Sequence, residues 1–218
     1  MVFTYKYPRP MVTVDIAVFR NAQSTLEILL IQRKHPPFAG EWALPGGFIK
    51  PDEQLHVAAC RELQEETGLK HNFLFPLATA DHPRRDPRGR TISFVFGGIQ
   101  SPPFPDVRGA DDAANAGWYS LSTLPNLAFD HQQVIQRSME QLKFDLQTRL
   151  HLFTFLPVRF TWSDWENLSH EFGFASDQAA FWIDRALQRR LINKLDRYKF
   201  ERTDSLQAFY DVFRFNIN

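Results

Sequence analysis

The stretch at residues 47–69, GFIKPDEQLHVAACRELQEETGL, decides how the chain is read. Residues 53–67 carry a helical pattern, with Leu55, Ala58, Ala59 and Leu63 distributed round it, and Gly68 stands where a glycine commonly ends a helix. On that helix Glu62, Glu65 and Glu66 fall at i, i+3 and i+4, one above another on a single face. Three like charges stacked there repel, so something must offset them. A hard divalent cation does so, because carboxylate oxygens are the ligands that Mg²⁺ and Mn²⁺ prefer. Mg²⁺ leaves coordination positions for water and phosphate, so such a cluster suits a polyphosphate or diphosphate substrate. The alternative is a solvated acidic helix face. The context weighs against it: a Gly46-Gly47 turn precedes the helix, Glu53 stands six residues after Gly47, and Arg61 eight after Glu53.

On either side of this stretch the first part of the chain reads as strands and turns. Residues 12–19 (VTVDIAVF) and 26–32 (LEILLIQ) are apolar or β-branched runs separated by a polar turn at 21–25, a candidate hairpin. Further strands are expected at 73–80, at 91–99 and near Trp118-Tyr119, with a proline-rich loop at 101–105. From His131 the texture changes. A long helix is expected over 131–150, and two more over 161–172 and 176–193, separated by Gly173-Phe174-Ala175. Two short Phe/Tyr-rich runs follow in 198–218. Helix, helix and two strands is the pattern of a winged helix-turn-helix, which places one domain at 1–150 and a second at 151–218, with the boundary near 148–158.

Composition bounds the rest. With 218 residues, 44% hydrophobic and 23% charged, the chain is neither disordered, collagen-like nor a disulfide-rich toxin. Lys+Arg and Asp+Glu are both 25, so no global basic excess points to nucleic acid. The single cysteine, Cys60, forms no internal disulfide, which fits a reducing cytoplasm, and it reads as a small packed side chain. No apolar signal core opens the chain, and no apolar run approaches the roughly 20 residues of a membrane span, so no membrane partner is expected. The seven histidines show no metal-ligand spacing.

The stretch at 47–69 resembles the Nudix box, G-x5-E-x7-R-E-U-x-E-E-x-G-U with U aliphatic, and meets every specified position: Gly47, Glu53, Arg61, Glu62, Leu63, Glu65, Glu66, Gly68 and Leu69. The resemblance implies an α/β fold, a Nudix α/β/α sandwich with a mixed sheet, followed here by the winged helix. It implies Mg²⁺ or Mn²⁺ held by Glu62, Glu65 and Glu66 with the backbone near Gly46, and a Glu53–Arg61 pair fixing loop to helix. Which carboxylate takes a proton from the attacking water stays open among Glu65, Glu66, Asp111 and Asp112. Around the box, Tyr7-Pro8-Arg9-Pro10, Arg33, residues 85–93 (RDPRGRTIS), residues 110–114 (ADDAA) and Phe129-Asp130-His131 are together similar to the ADP-ribose pyrophosphatase branch and to Nudix-related transcriptional regulators of NAD metabolism, which carry a C-terminal winged helix.

Two functions follow from that likeness: hydrolysis of ADP-ribose to AMP and ribose 5-phosphate, or ADP-ribose sensing coupled to DNA binding. Regulators often have a degraded box, so the intact one favours catalysis. Arg33, Arg85, Arg88 and Arg90 are the candidate substrate contacts, although 85–93 also reads as a charged hairpin turn. Residues 151–218 hold 9 Lys+Arg and 9 Asp+Glu, neutral where a DNA-binding domain is usually basic, although 185–202 sets seven basic residues against Asp196 and Glu201. A homodimer is implied by the resemblance. His131 lies near the substrate by resemblance and reads by itself as a helix-start residue. Trp42 and Phe38 stack on adenine or pack locally.

Overall fold

A computed structural model describes residues 6–70, 74–110, 112–149 and 151–204. Strand β1 (Met11–Ala22) is the axis of a seven-stranded mixed sheet that also contains β2 (Thr25–Arg33), β3 (Trp42–Ala43), β4 (Gly46–Phe48), β5 (Phe75–Ala80), β6 (Thr91–Ile99) and β7 (Ala113–Ser120). β1 runs parallel to β6 from Met11↔Thr91 to Phe19↔Ile99. Its far end pairs antiparallel with β2, and its near end pairs antiparallel with β4, so that Asp15 lies opposite Gly46. This is the mixed sheet expected from the sequence.

Side-chain alternation along β1 sorts the core into two layers. Val14, Ile16 and Val18 meet Ala58, Ala59 and Leu63 of helix α1 (Leu55–Thr67), while Ala17 and Phe19 point the other way and join Val134, Ile135 and Leu142 of helix α2 (His131–Arg149). A strand buried on both faces reads as a continuous apolar run, and Val14–Phe19 is one except for its acid, Asp15. The β1–β2 connection is a two-residue turn in which Gln23 (φ 51°) and Ser24 (φ 61°) are both left-handed, the geometry that matches strand twist. α1 stops where Gly68 turns left-handed (φ 71°) and its N–H donates to the Gln64 carbonyl at 2.9 Å.

Beyond α2 and a short 3₁₀ turn at His151–Phe155 come β8 (Arg159–Thr161), α3 (Trp162–Glu171), α4 (Ser176–Gln188), β9 (Ile192–Lys194) and β10 (Lys199–Arg202). The three strands form a small antiparallel sheet in the order β8-β10-β9 behind the two helices, the winged arrangement. Thr161 caps α3: its hydroxyl accepts from the Asp164 N–H (3.2 Å), and Asp164 accepts from the Thr161 N–H (2.7 Å). Two expectations are corrected. The helix expected to reach 193 ends at Gln188, because Arg190 turns left-handed (φ 57°) so that Leu191 and Ile192 enter the core, Ile192 as the first residue of β9. β8 was not expected, three residues being too few for a periodic signal. Of the two Phe/Tyr-rich runs, one contains β10 and the other lies outside the described residues.

The two units share one core. Phe19, Leu26, Leu30 and Val134 belong to the same buried cluster as Leu152, Phe153, Phe160, Trp165 and Leu168. Glu171 of α3 accepts from the Leu26 N–H at 3.4 Å, and the Ser101 hydroxyl donates to the Thr154 carbonyl.

Candidate active site

α1 presents its acidic face to a cavity of about 400 Å³ beside the β3–β4 turn. Glu62, Glu65, Glu66, Arg61, Gly46 and Gly47 line it, joined by Arg33, Arg85, Arg88, Asp112, Phe129 and His131 from distant segments. The fold therefore gathers most of the residues singled out from the sequence.

Arg61 organises the acids. Its Nε and Nη2 donate to the two oxygens of Glu53, both at 2.7 Å, and its Nη1 donates to Glu62 (2.7 Å) and Glu65 (2.9 Å). Nη2 also reaches the Phe48 carbonyl at 3.2 Å, tying α1 to β4. The fork holds Glu53 at about 2, well below the usual carboxylate range, and the carboxylates push Arg61 above its ordinary value. Arg61 thus offsets part of the repulsion read from the sequence, at Glu62 and Glu65, from inside the chain.

Glu66 is the exception. It is 6% exposed and accepts from the Gly46 N–H at 2.8 Å. Burial pushes its carboxyl up to about 8; the Gly46 N–H pulls it down and the neighbouring Glu62 pushes it further up. Burial also raises Glu62, against the pull of Arg61. A Cβ at Gly47 would stand 2.5 Å from the Glu62 carboxylate, so a side chain there has to push that carboxylate aside.

Among the described residues no three Asp, Glu, His or Cys side chains converge as a metal site. The donor set nevertheless fits a hard divalent cation: two carboxyls are raised chiefly by burial, Glu66 also by neighbouring Glu62, and the donors are all oxygen.

The arginines divide. Arg33 has no carboxylate partner among the salt bridges of the described residues; its Nε donates to the Pro37 carbonyl (2.9 Å), its guanidinium lies 4.9 Å from the Phe129 ring centre, and burial followed by Arg88 lowers it. Arg88 pairs with Asp86 (2.8 Å) and stacks near Phe48 at 5.0 Å. Arg85 differs from expectation: it is buried and held between Asp15 (3.1 Å) and Asp130 (2.9 Å), which more than offset the burial that disfavours its charge. It ties β1 to the residue before α2 while still lining the cavity. Arg90 does not line the cavity; its Nη1 donates to the Asp81 carbonyl. Trp42 packs on Tyr119 (4.6 Å) and Phe38 on Phe129 (4.7 Å), outside the lining. Asp111 lies outside the described residues, and the exposed Asp112 lines the cavity 3.8 Å from His35. Sequence reasoning missed Asp15, whose signal was present: one acid inside an apolar strand needs a buried partner.

A family profile described as "NUDIX domain" matches residues 9–139. The chain belongs to the Nudix family. With its complete box, this Nudix protein is a pyrophosphohydrolase of that family. It is 41% identical over 133 residues to an ADP-ribose pyrophosphatase of Methanocaldococcus jannaschii, covering 61% of this chain and 75% of that protein. It is 32% identical over 167 residues to the ADPR responsive transcriptional repressor NtrR of Acinetobacter baylyi, covering 74% of this chain and 66% of that one. Three crystal structures resemble this Nudix chain. The Nudix domain of Shewanella oneidensis NrtR complexed with ADP ribose is 31% identical (TM-score 0.58; 62% of this chain, 90% of that). A bifunctional NMN adenylyltransferase/ADP ribose pyrophosphatase of Francisella tularensis complexed with AMP and Mn ion is 35% identical (TM-score 0.57; 63% and 43%). S. oneidensis NrtR complexed with a 27mer DNA is 24% identical (TM-score 0.70; 90% and 95%), so the fold is shared across both units. No helix among the described residues is long and apolar enough to cross a membrane.

Proposed function

We propose that the chain hydrolyses the diphosphate of ADP-ribose, or of a closely related nucleoside diphosphate derivative, to AMP and ribose 5-phosphate with Mg²⁺ or Mn²⁺. The observation that carries this reading is the meeting, in one cavity, of the box acids with a half-buried guanidinium, Arg33, whose charge no carboxylate neutralises among the described salt bridges. Relatives whose names include ADP-ribose support the substrate. Glu62, Glu65 and Glu66, with the backbone at Gly46, would hold the metal, which supplies charge neutralisation on phosphate and an acidified water. Arg61 and Glu53 orient these carboxylates. Arg33 and Arg88 face the diphosphate, where charge grows as the bridging P–O bond breaks. A lining carboxylate (Glu65, Glu66 or Asp112) accepts the proton of the water whose oxygen bonds to one phosphorus, and the other phosphate leaves with the electron pair of the broken bridging P–O bond. Glu66→Gln is expected to lower the rate of AMP release by about 10²- to 10⁴-fold while the fold stays intact by circular dichroism. Unchanged turnover sinks the assignment, as does the absence of Mn²⁺ uptake in a calorimetric titration.

A second reading, an ADP-ribose-sensing DNA-binding regulator, is favoured by the fold shared with NrtR across both units and by exposed Arg189, Arg190, Lys194 and Arg197 on the winged unit, where Asp196 and Glu201 are already paired with Lys199 and Arg159. Titration of the chain's own upstream DNA at stated salt, with and without ADP-ribose, separates the readings. Ligand-sensitive binding supports the regulator; hydrolysis without DNA binding leaves the enzyme alone.

A further inference from the structure

His131 is the first residue of α2 and is 4% exposed. Its Nδ1 accepts from the Leu44 N–H at 2.9 Å, joining segments 87 residues apart. Two residues on, the Gly46 N–H donates to Glu66, and between them the Pro45 carbonyl accepts from the Ile16 N–H at 2.8 Å. The turn that supplies Gly46 and Gly47 to the cavity therefore hangs from three points: β1, Glu66 and His131. The imidazole is itself enclosed. Its Nε2 faces Asp15 at 3.8 Å, Asp15 and Asp130 grip Arg85, and the Phe129 ring lies 5.4 Å away. Because a backbone N–H donates to Nδ1, the ring is neutral with its proton on Nε2, the form that full burial also favours.

We propose that His131 is a positioning residue, which through Leu44 sets where the Gly46-Gly47 turn lies against Glu62 and Glu66. Without an acceptor at Nδ1 the Leu44 N–H is buried and unpaired, and the turn must twist to find another partner. That twist moves the Gly46 N–H off Glu66. The inference rests on the reading that these carboxylates hold metal and carry hydrolysis.

The test uses the full chain and its Asn, Gln and Leu variants at 131. In His131→Asn the carboxamide oxygen takes the place of Nδ1; in His131→Gln the polar end reaches only the place of Nε2; His131→Leu has no acceptor. Three quantities are read: Mn²⁺ affinity by calorimetry, kcat and KM for ADP-ribose, and amide exchange across residues 44–47. The Asn variant is expected to stay within about threefold of the parent, whereas Gln and Leu lose about 10- to 100-fold in kcat and in Mn²⁺ affinity, with KM little changed and exchange at 44–47 faster. Equal behaviour of the Asn and Gln variants overturns the proposal, and that pair decides the matter if the Leu variant does not fold. Should the parent fail to cleave ADP-ribose, the substrate reading falls. The order of Mn²⁺ affinities, or of exchange rates if no metal binds, then still judges His131.

Discussion

Arg61 bonds Glu53 with two of its nitrogens and spreads the third over Glu62 and Glu65, so one guanidinium sets the charge of half the site. Glu53 shows what this does to stability. Its folded-state value, about 2, lies below the ordinary 4.5, so the pair contributes above pH 4.5 and the contribution fades as pH falls through the folded value. Glu53→Gln is expected to lower Tm at pH 7, and the gap between variant and parent is expected to close in scans taken from about pH 5 down to about 2. A gap independent of pH contradicts this. Gly47→Ala is expected to displace Glu62, weakening Mn²⁺ affinity about tenfold with little change in far-ultraviolet circular dichroism, because the added Cβ would lie 2.5 Å from that carboxylate. The Glu53–Arg61 pair was legible through the resemblance to the Nudix box. The fate of Arg85 was not, because its partners Asp15 and Asp130 are 70 and 45 residues away.

Elements were legible where they were long and periodic. β6 runs from Thr91 to Ile99 as expected, α1 ends at Thr67 just before Gly68, and α2 begins at His131. Short elements were not: β3, β4 and β8 have two or three residues each and exist because a neighbouring strand offers hydrogen bonds, which no local pattern announces. The β1–β2 turn carries two left-handed residues that are not glycine, and each such residue costs on the order of 1 kcal/mol. The double change Gln23→Asn with Ser24→Gly is expected to raise Tm by about 2–4 °C, a gain near 1 kcal/mol in a chain of this size. It removes only a long contact from Asn167 to the Ser24 hydroxyl at 3.5 Å. A lower Tm means that the turn is strained less than its angles imply.

Across the molecule, the Nudix unit and the winged unit are welded by a common core. Trp165 is fully buried, stacks on Phe153 with ring centres 4.4 Å apart, and donates from Nε1 to the Ala179 carbonyl at 2.8 Å. Trp165→Ala is expected to cost about 3–5 kcal/mol and to lower a single calorimetric transition for the whole chain. Two separate transitions would show that the units unfold independently, whatever their contact. The longer strands and helices, the stacked acids of the box and the helix-rich winged part could be read from local pattern, and the Nudix-like part from the resemblance of the box, since period, glycine placement and charge spacing are properties of neighbouring residues. Four matters awaited the folded chain: Arg61 bonding two of the box acids, Arg85 being held and Arg33 left facing the cavity, the grip of His131 on the Gly-Gly turn, and the fusion of two units into one core. Each depends on which remote segments meet, and hydrogen bonding, burial and charge pairing act across space, not along the chain.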